Sequence, residues 1–439
     1  MCLKPPMVLI MTEKSSRLSG FFKKTIDERI NIVKEWGDLS DAEVALLKQT
    51  LEPLNGNYFI ENVIGVMQVP LGIAPNFKVN GKDYLIPLAV EEASVVAAAA
   101  NSAKLTLKHG GFQATNTGPI MIAQVQCVGV PDPFAAKMKI FEAKDEILEK
   151  ANSMDPILVK FGGGCQDIEV RVLDTPRGPM VITHLLVDTR DAMGANAVNT
   201  MAEGVAPIIE RVTGGRVFLR ILSNLADRRV VRCRATFDKG MLATPSMNGD
   251  EVVEGMLEAY TFAAVDPYRA ATHNKGIMNA ISAITLATAN DWRAIEAGAH
   301  AYAARDGHYS SLTTYEKDKD GNLVGTIEVP LALGLVGGAT RIHPVAQIAV
   351  KILGVKTAVE FAEVVAAVGL AQNFGALRAL ATTGIQAGHM RLHARNMAVD
   401  VVKQAGADPK LVDAIVDRLS KEKGKVTADR IQAILDELT

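Results

Sequence analysis

This chain of 439 residues has only four cysteines, few aromatic residues (5%) and nearly equal numbers of positive and negative charges. Its four cysteines, Cys2, Cys127, Cys165 and Cys233, are widely scattered without a CxxC spacing, which argues against a disulfide framework and a zinc site. Such usage favours a reducing compartment, so we expect a cytoplasmic protein. The formal net charge of −2 argues against a protein that coats nucleic acid or an anionic membrane, because both need a large positive surface.

Common nucleotide-binding motifs and membrane-spanning or signal segments are also missing from the sequence. Neither a GxGxxG fingerprint nor a Walker A loop occurs, so any nucleotide would bind without the glycine-rich motif of a standard Rossmann fold. The uncharged stretch Val329–Thr340 contains a proline and three glycines and is too short to span a bilayer. Residues 1–11 include a brief apolar patch without a small-residue cleavage site, which we interpret as an extended N-terminus rather than a signal peptide.

What the chain does contain is the composition of a globular protein. With 48% hydrophobic and 22% charged residues, disorder is excluded as its main state. Between Gly118 and Asp227 the segments follow the order β-α-β-β-α-β, the split βαβ arrangement of a ferredoxin-like domain. Within it, one amphipathic helix is expected over Pro133–Ser153. Most of the remaining chain has a helical, alanine-rich pattern, so we predict the α+β fold class.

Two segments combine charge with a predicted helix start. Glu91 and Glu92 stand at the mouth of an apolar helix, where the helix dipole favours negative charge. The segment Asp191–Asn196 lies where a strand ends and a helix begins, and its glycine would let the backbone approach a phosphate at the helix N-terminus. An ordinary aspartate N-cap explains the second segment equally well.

Three further segments carry candidate chemistry, each with a plainer interpretation beside it. Lys275 stands between Asn274 and Gly276 and suits an oxyanion stabiliser, although a routine surface loop would also explain it. Asp291 is most simply an N-cap. His389, in a glycine-bounded segment, suits acid–base chemistry, although a lone histidine is more often structural or exposed. None of these segments decides the function alone.

Taken together and in this order, the segments closely resemble hydroxymethylglutaryl-CoA (HMG-CoA) reductase. The resemblance extends from about Ser16 into the C-terminal region. Within that family, the chain is similar to the soluble bacterial and archaeal class II. One departure is Ala93, where relatives have proline, and it puts no catalytic role in doubt. The matching segments are Glu61–Gly65 (ENVIG), Glu91–Ser94 (EEAS), Asp191–Asn196 (DAMGAN), Asp266–Gly276 (DPYRAATHNKG), Asn290–Arg293 (NDWR) and Gly388–Met390 (GHM).

The resemblance implies a reaction and a domain layout. HMG-CoA and mevalonate plus CoA are interconverted with two nicotinamide hydride transfers and no metal, in a homodimer or dimer-based oligomer whose active site lies at the interface. A large, mainly helical domain would comprise residues 1–117 and 228–385. The ferredoxin-like, nicotinamide-binding domain would be inserted at 118–227, and a C-terminal helical flap would comprise 386–439.

Catalytic roles follow from the resemblance position by position. Lys275 would stabilise oxyanion character on the thioester carbonyl and the later aldehyde. Glu92 would donate and accept a proton in the aldehyde stage. Asp291 would link this glutamate and lysine in one hydrogen-bond network. His389 would protonate the departing CoA thiolate.

Binding roles follow in the same way. Arg269 would take the carboxylate of the HMG group, with Ser94 and Asn279 as further substrate contacts. Asp155 falls where the family reads the adenosine ribose, and a carboxylate there repels a 2′-phosphate, so NAD(H) is expected over NADP(H). The implied cofactor-binding residues are Asp155, Asp191, Met193, Gly194 and Asn196.

Two other functions stay open at this point. A CoA-thioester hydrolase or lyase could use Glu92 and His389, although it would leave the DAMGAN segment and the small domain without a role. A non-catalytic CoA-binding protein would tolerate replacement of Lys275. The physiological direction of the reductase reaction is not encoded in these residues.

Overall fold

The computed structural model describes residues 14–47, 59–62, 64, 66–382, 385–422 and 426–439. Helices and strands are both abundant in this part of the chain, which confirms the predicted α+β class. The strands are β1 (Leu71–Val79), β2 (Lys82–Ala89), β3 (Phe112–Asn116), β4 (Ile120–Val128), β5 (Gly164–Leu173), β6 (Met180–Asp188), β7 (Arg216–Leu222), β8 (Val230–Phe237), β9 (Thr313–Lys317) and β10 (Leu323–Pro330).

Within the described residues, helices precede the first strand, follow the last strand and separate many of the others. They are α1 (Ile26–Gly37), α2 (Asp41–Leu47), α3 (Val95–Thr106), α4 (Pro133–Glu142), α5 (Lys144–Ser153), α6 (Pro156–Lys160), α7 (Ala195–Thr213), α8 (Lys239–Leu242), α9 (Gly249–Val265), α10 (Pro267–Ala287), α11 (Trp292–Ala303), α12 (Pro344–Leu353), α13 (Ala358–Ala381), α14 (Ile385–Gln404), α15 (Leu411–Lys421) and α16 (Ala428–Leu438).

The larger sheet has six strands in the order β2-β1-β3-β8-β10-β9. All neighbours are antiparallel except β1 and β3, and the Asn80-Gly81 pair, a sequence typical of tight turns, connects β1 to β2. Helix α13 packs against strands of this sheet and against α3, α9 and α10, with Phe374 stacked on Phe237 at 3.6 Å between ring centroids. The sheet and α13 therefore form the centre of the larger body.

Within the described residues, α13 is the one helix whose length and composition would allow it to cross a membrane. In its most apolar window, 67% of the residues are buried inside the protein. Its apolar side chains thus pack against α3, α10 and the six-stranded sheet, as those of a core helix do.

The smaller sheet has four antiparallel strands in the order β5-β6-β4-β7, from the segment order β-α-β-β-α-β. The single helix expected over Pro133–Ser153 is wrong, since α4 ends at Glu142 and α5 begins at Lys144. Ala143 adopts ψ 11°, which interrupts the helix. Both shorter helices pack on β5 and α7 and bury Ile140 and Ile147.

Helices α14, α15 and α16 have an apolar cluster of their own, centred on Ala398, Ile415, Ile431 and Ile434. This cluster is separate from the core around α13. The domain boundaries proposed at residues 117, 227 and 385 stay predictions.

Candidate active site

Glu92 and Lys275 form an ion pair between two separate elements of the larger body. Lys275 Nζ donates to Glu92 Oε2 at 2.9 Å. Glu92 lies three residues before the start of α3, and Lys275 lies on the exposed side of α10, directly after the buried His273 and Asn274. The lysine side chain is 60% exposed and the glutamate 38% exposed, so the pair is accessible to a ligand.

The segment that contains Lys275 is helical from its beginning. Asp266 caps α10 by accepting hydrogen bonds from the backbone N–H groups of Tyr268 and Arg269, and Pro267 occupies the first helical position. The surface-loop interpretation of Lys275 is therefore wrong. A helix capped at its N-terminus therefore fixes the backbone position from which the Lys275 side chain extends.

Asp291 lies between α10 and α11, as the N-cap of α11. Its Oδ1 accepts from the backbone N–H groups of Arg293 and Ala294 at 3.1 Å each, and the Arg293 guanidinium lies 3.3 Å from the same oxygen. The simple N-cap interpretation is thus correct. No hydrogen bond in the described part of the chain joins Asp291 to Glu92 or Lys275.

The remaining predicted catalytic residue, His389, belongs to α14. Gly388 lies within the same helix, so this segment is not a glycine-bounded break in the chain. The side chain of His389 lies outside the described residues. Val63 and Gly65 of the ENVIG segment lie outside them as well.

The three predicted substrate contacts differ in their surroundings. Asn279 lies one turn after Lys275 on the same face of α10. Arg269 is half-buried, burial lowers the pKa of its guanidinium from the ordinary value, and none of the described residues forms an ion pair with it. Ser94 is exposed at the start of α3, where its hydroxyl donates to the carbonyl of Ala93 at 2.5 Å.

A cleft of about 1500 Å³ opens beside Glu92 and Ser94. Its walls come from α1, from residues 66–76 and from α3. This volume exceeds the roughly 300–1000 Å³ of common small-molecule sites. The lysines and arginines among its described lining residues are Arg17, Lys23, Arg29 and Lys104.

The DAMGAN segment forms the connection between β6 and α7. Asp191 does not cap α7 as one interpretation held, because its Oδ1 instead accepts from the backbone N–H of Ala358 at the start of α13, at 2.7 Å. The N-cap is Gly194 with φ 99°, and a Cβ there would lie 2.3 Å from Thr189 Cγ2. Glycine is therefore required by both the backbone angle and the close contact.

The other predicted cofactor residues surround this connection. Met193 N lies so close to Gly334 that a Cβ on the glycine would lie 2.4 Å from it, and Asn196 is exposed on the first turn of α7. Asp155 caps α6, with Oδ1 accepting from Leu158 N at 2.9 Å. Leu158 packs against Gly163, next to the carbonyl of Asp188 at the end of β6. Asp155 is thus connected to the start of the same loop through Leu158 and Gly163.

Sequence reasoning missed Arg229, which holds this loop from beneath. Its guanidinium donates to Thr189 Oγ1 at 3.1 Å, to the carbonyls of Ala192 and Met193 at 3.2 and 3.3 Å, and to the carbonyl of Leu333. Burial lowers the pKa of Arg229 to about 10, so it stays charged at neutral pH. The sequence does contain one signal for its burial. Buried residues alternate at positions 231, 233 and 235 of β8, and Arg229 lies two residues before the first of them.

Comparison with known proteins decides the family. Residues 25–394 match the family model described as hydroxymethylglutaryl-coenzyme A reductase. The chain is also 57% identical over 425 residues to the 3-hydroxy-3-methylglutaryl-coenzyme A reductase of Archaeoglobus fulgidus, which covers 97% of this chain and 95% of that protein. This chain belongs to the HMG-CoA reductase family. It is therefore an oxidoreductase, as the resemblance predicted.

Solved structures of HMG-CoA reductases agree with this placement. One from Streptococcus pneumoniae is similar with a TM-score of 0.81 at 38% identity, covering 96% of this chain and 99% of that chain. A second, a class II HMG-CoA reductase from the same organism bound to NADPH in open conformations, has a TM-score of 0.80 at 40% identity, covering 83% and 99% of the two chains. The α+β architecture is thus shared with class II HMG-CoA reductases.

Proposed function

We propose that this HMG-CoA reductase interconverts HMG-CoA and mevalonate plus CoA through two hydride transfers with a nicotinamide cofactor, and that it prefers NAD(H). The observation that carries the proposal is the accessible Glu92–Lys275 pair, 2.9 Å apart, beside a cleft of about 1500 Å³. Family membership supplies the reaction class, and this pair supplies the groups that the chemistry needs.

Lys275 acts on the carbonyl oxygen of the substrate. A bound reduced nicotinamide supplies the hydride, and its addition to the thioester carbon places negative charge on that oxygen. The Lys275 ammonium donates to the oxygen and stabilises the charge. Glu92 lies within hydrogen-bond distance of the same ammonium, so it can give or take a proton at this oxygen in the aldehyde stage.

Asp291 and His389 complete the catalytic set. The capping bonds and the Arg293 contact of Asp291 all use Oδ1, which leaves Oδ2 to accept from Lys275 in the substrate complex. His389 on α14 protonates the CoA thiolate, so that the thiolate does not add back to the aldehyde. The C-terminal residues from 386 act as a flap that brings His389 to the site.

Substrate binding uses the cleft and the exposed side of α10. Arg269 has no ion-pair partner among the described residues, so its planar guanidinium is available to the carboxylate of the HMG group. Ser94 and Asn279 supply neutral hydrogen bonds. The CoA moiety occupies the cleft beside Glu92, where basic side chains such as Lys104 meet its phosphates.

The loop between β6 and α7 holds the nicotinamide cofactor. Gly194 leaves the start of α7 bare, so the free N–H groups of a 19-residue helix face a phosphate without a side chain in the way. Asp191, Met193 and Asn196 form the rest of this wall. Asp155 uses Oδ1 to cap α6, so Oδ2 is left to accept from a ribose 2′-hydroxyl, which favours NAD(H) over NADP(H).

A second copy of the chain covers the site in this proposal. Lys275 alone is too exposed to work in a water-excluded environment. Large apolar side chains are exposed just before it on α9 and α10, namely Phe262, Val265 and Tyr268, the last 87% exposed. Such a surface suits a homodimer with its active site at the interface, in the cytoplasm.

One assay tests the reaction. The protein is mixed with HMG-CoA and either NADH or NADPH, and nicotinamide absorbance and free thiol are followed together. We expect two nicotinamides oxidised per CoA released and faster turnover with NADH. Thiol release without nicotinamide oxidation would favour the hydrolase, and no change in either signal would favour a binding protein.

Replacement of Lys275 identifies the site. Lys275→Ala should lower kcat by about a thousandfold, the scale expected when an oxyanion donor is removed, while leaving the thermal unfolding temperature unchanged. Lys239→Ala is the matched control, because Lys239 is also a partly exposed lysine paired with a carboxylate, Asp250 at 2.9 Å. Equal activity of both variants would remove Lys275 from the mechanism.

A further inference from the structure

Helix α13 lies in close contact with both elements that carry the catalytic pair. Gly369 faces α10, where an added Cβ would lie 2.7 Å from Ile281 Cδ1. Gly375 faces α3, where an added Cβ would lie 2.9 Å from Ser102 Oγ. Glu92 precedes α3 and Lys275 lies on α10, so α13 packs against both of the helices that flank the two charged groups.

Asn373 lies on α13 between these two glycines and is 1% exposed. Its Nδ2 donates to the backbone carbonyl of His273 at 3.2 Å. Its Oδ1 accepts from Thr313 Oγ1 at 3.0 Å and from the Tyr315 hydroxyl at 2.9 Å. The amide thereby connects α13 to β9 and to the turn of α10 that ends at Lys275.

Thr313 completes the connection from the other side. Its single hydroxyl proton goes to Asn373 Oδ1, which can only accept, so the same hydroxyl oxygen accepts from His273 Nε2 at 2.7 Å. The next residue of α10, Asn274, donates to the carbonyl of Ser310 at 2.9 Å and accepts from Leu312 N at 3.0 Å. Two consecutive buried residues of α10 are thus fixed by hydrogen bonds to residues 310–313.

The magnitudes indicate which contacts hold the geometry. An exposed ion pair such as Glu92–Lys275 contributes about 0–1 kcal/mol, which is too little to hold two helices at a fixed distance. Buried hydrogen bonds whose loss leaves a polar group unpaired cost about 1–3 kcal/mol each. The buried network, rather than the ion pair itself, therefore determines where Lys275 lies.

We propose that Thr313 and Asn373 are positioning residues, which hold the rotation of α10 about its axis so that Lys275 Nζ stays within reach of Glu92 and of the substrate oxygen. This inference rests on the catalytic roles proposed above for Glu92 and Lys275. It assigns a part in catalysis to two residues that do not touch the substrate.

A matched series of variants tests the proposal in the full-length protein. Thr313→Val keeps the shape but removes the hydroxyl, and Thr313→Ser keeps the hydroxyl. Tyr315→Phe removes a bond of similar length to the same Asn373 oxygen without touching α10. We expect Thr313→Val to lower kcat at least about tenfold with KM for HMG-CoA within about twofold, Thr313→Ser to restore most of kcat, and Tyr315→Phe to retain it.

Thermal unfolding is recorded for every variant, and Thr313→Ala replaces Thr313→Val if the latter does not fold. Wild-type kcat from Thr313→Val, or equal losses of kcat in Thr313→Val and Tyr315→Phe, would overturn the positioning role. Wild-type protein and Lys275→Ala are assayed alongside. An inactive wild type or an active Lys275→Ala would contradict the proposed function, whereas normal kcat in Thr313→Val alone would contradict only this inference.

Discussion

At the scale of single residues, the site depends on which atoms of a side chain are already engaged. Asp155 and Asp291 each use Oδ1 to cap a helix, so each presents its second oxygen from a fixed position. His273 has the opposite character, since it is buried and its Nδ1 has no hydrogen-bond partner in the described part of the chain. The two carboxylates thus act as helix caps with a free oxygen, whereas the imidazole is a buried structural group.

Asp155 gives a direct test of cofactor choice. In Asp155→Asn the amide oxygen can still cap α6, but the charge proposed to repel a 2′-phosphate is gone. The ratio of kcat/KM for NADH to that for NADPH should fall by about tenfold, which corresponds to about 1.4 kcal/mol of lost discrimination. Steady-state kinetics with both cofactors measure it, and Asp145→Asn on the exposed side of α5 is the control. An unchanged ratio would show that Asp155 does not read the ribose.

His273 predicts how stability depends on pH. Burial lowers the pKa of His273 to about 3, whereas in the unfolded chain it would be near 6.5. The unfolded state therefore binds the extra proton as pH falls, and the free energy of unfolding should decrease by roughly 2 kcal/mol between pH 7 and pH 5 from this group. Urea unfolding at both pH values measures this, with His273→Gln expected to have the shallower dependence. The same slope in both proteins would contradict the assignment.

At the scale of elements, the start of α7 combines the two features that a phosphate site needs. A long helix supplies unpaired N–H groups, and Gly194 supplies a backbone angle and a clearance that other residues cannot. Both ends of this helix have glycines in the left-handed region, Gly194 with φ 99° and Gly214 with φ 70°. Only the first has a neighbour within contact distance of an added Cβ.

This pair of glycines separates steric contact from backbone strain. Gly214→Ala should cost about 1–2 kcal/mol through its positive φ alone. Gly194→Ala should destabilise the protein more, because the new methyl group meets Thr189, and it should also raise KM for the nicotinamide. Urea unfolding and cofactor kinetics are compared for the two variants. Equal stability losses and unchanged KM values would argue against a cofactor role for this helix start.

The fold class could be predicted from the sequence because periodicity and turn residues are local signals. The β-α-β-β-α-β order and the Asn80-Gly81 turn depend on neighbours in the chain, as does the cap at Asp291. The helix break at Ala143 could not be predicted, since the apolar pattern continues across it from Phe134 to Ile147. Thr313 and Asn373 carry no local signature at all, because their partners come from residues far apart in sequence.

At the scale of the whole molecule, the two sheets meet through the loop that carries the DAMGAN segment. Asp191 accepts from α13 on one side, and its carbonyl accepts from Leu335 N and Val336 N on the other. Arg229 joins the same loop to Leu333 from within. The loop proposed to hold the cofactor is therefore bonded to both bodies, and its geometry depends on how they are fixed together.

Replacement of Arg229 should weaken cofactor binding and leave substrate binding nearly unchanged. Arg229→Met keeps the length but leaves several buried acceptors without donors, so it should destabilise the protein by about 3 kcal/mol or more. KM for the nicotinamide should rise about tenfold while KM for HMG-CoA changes little. Arg228→Met is the control, since Arg228 is exposed and pairs with Glu169. Parallel rises in both KM values would indicate general loosening instead.

The position of α13 in the chain has a consequence for how the protein is made on the ribosome. The strands β4 to β7 are contiguous, so the four-stranded sheet has all of its partners once about residue 222 has emerged. The six-stranded sheet, by contrast, packs against a helix that ends only at Ala381. The apolar surface of the larger body therefore stays uncovered through most of translation. Its folding cannot be completed until α13 has been synthesised.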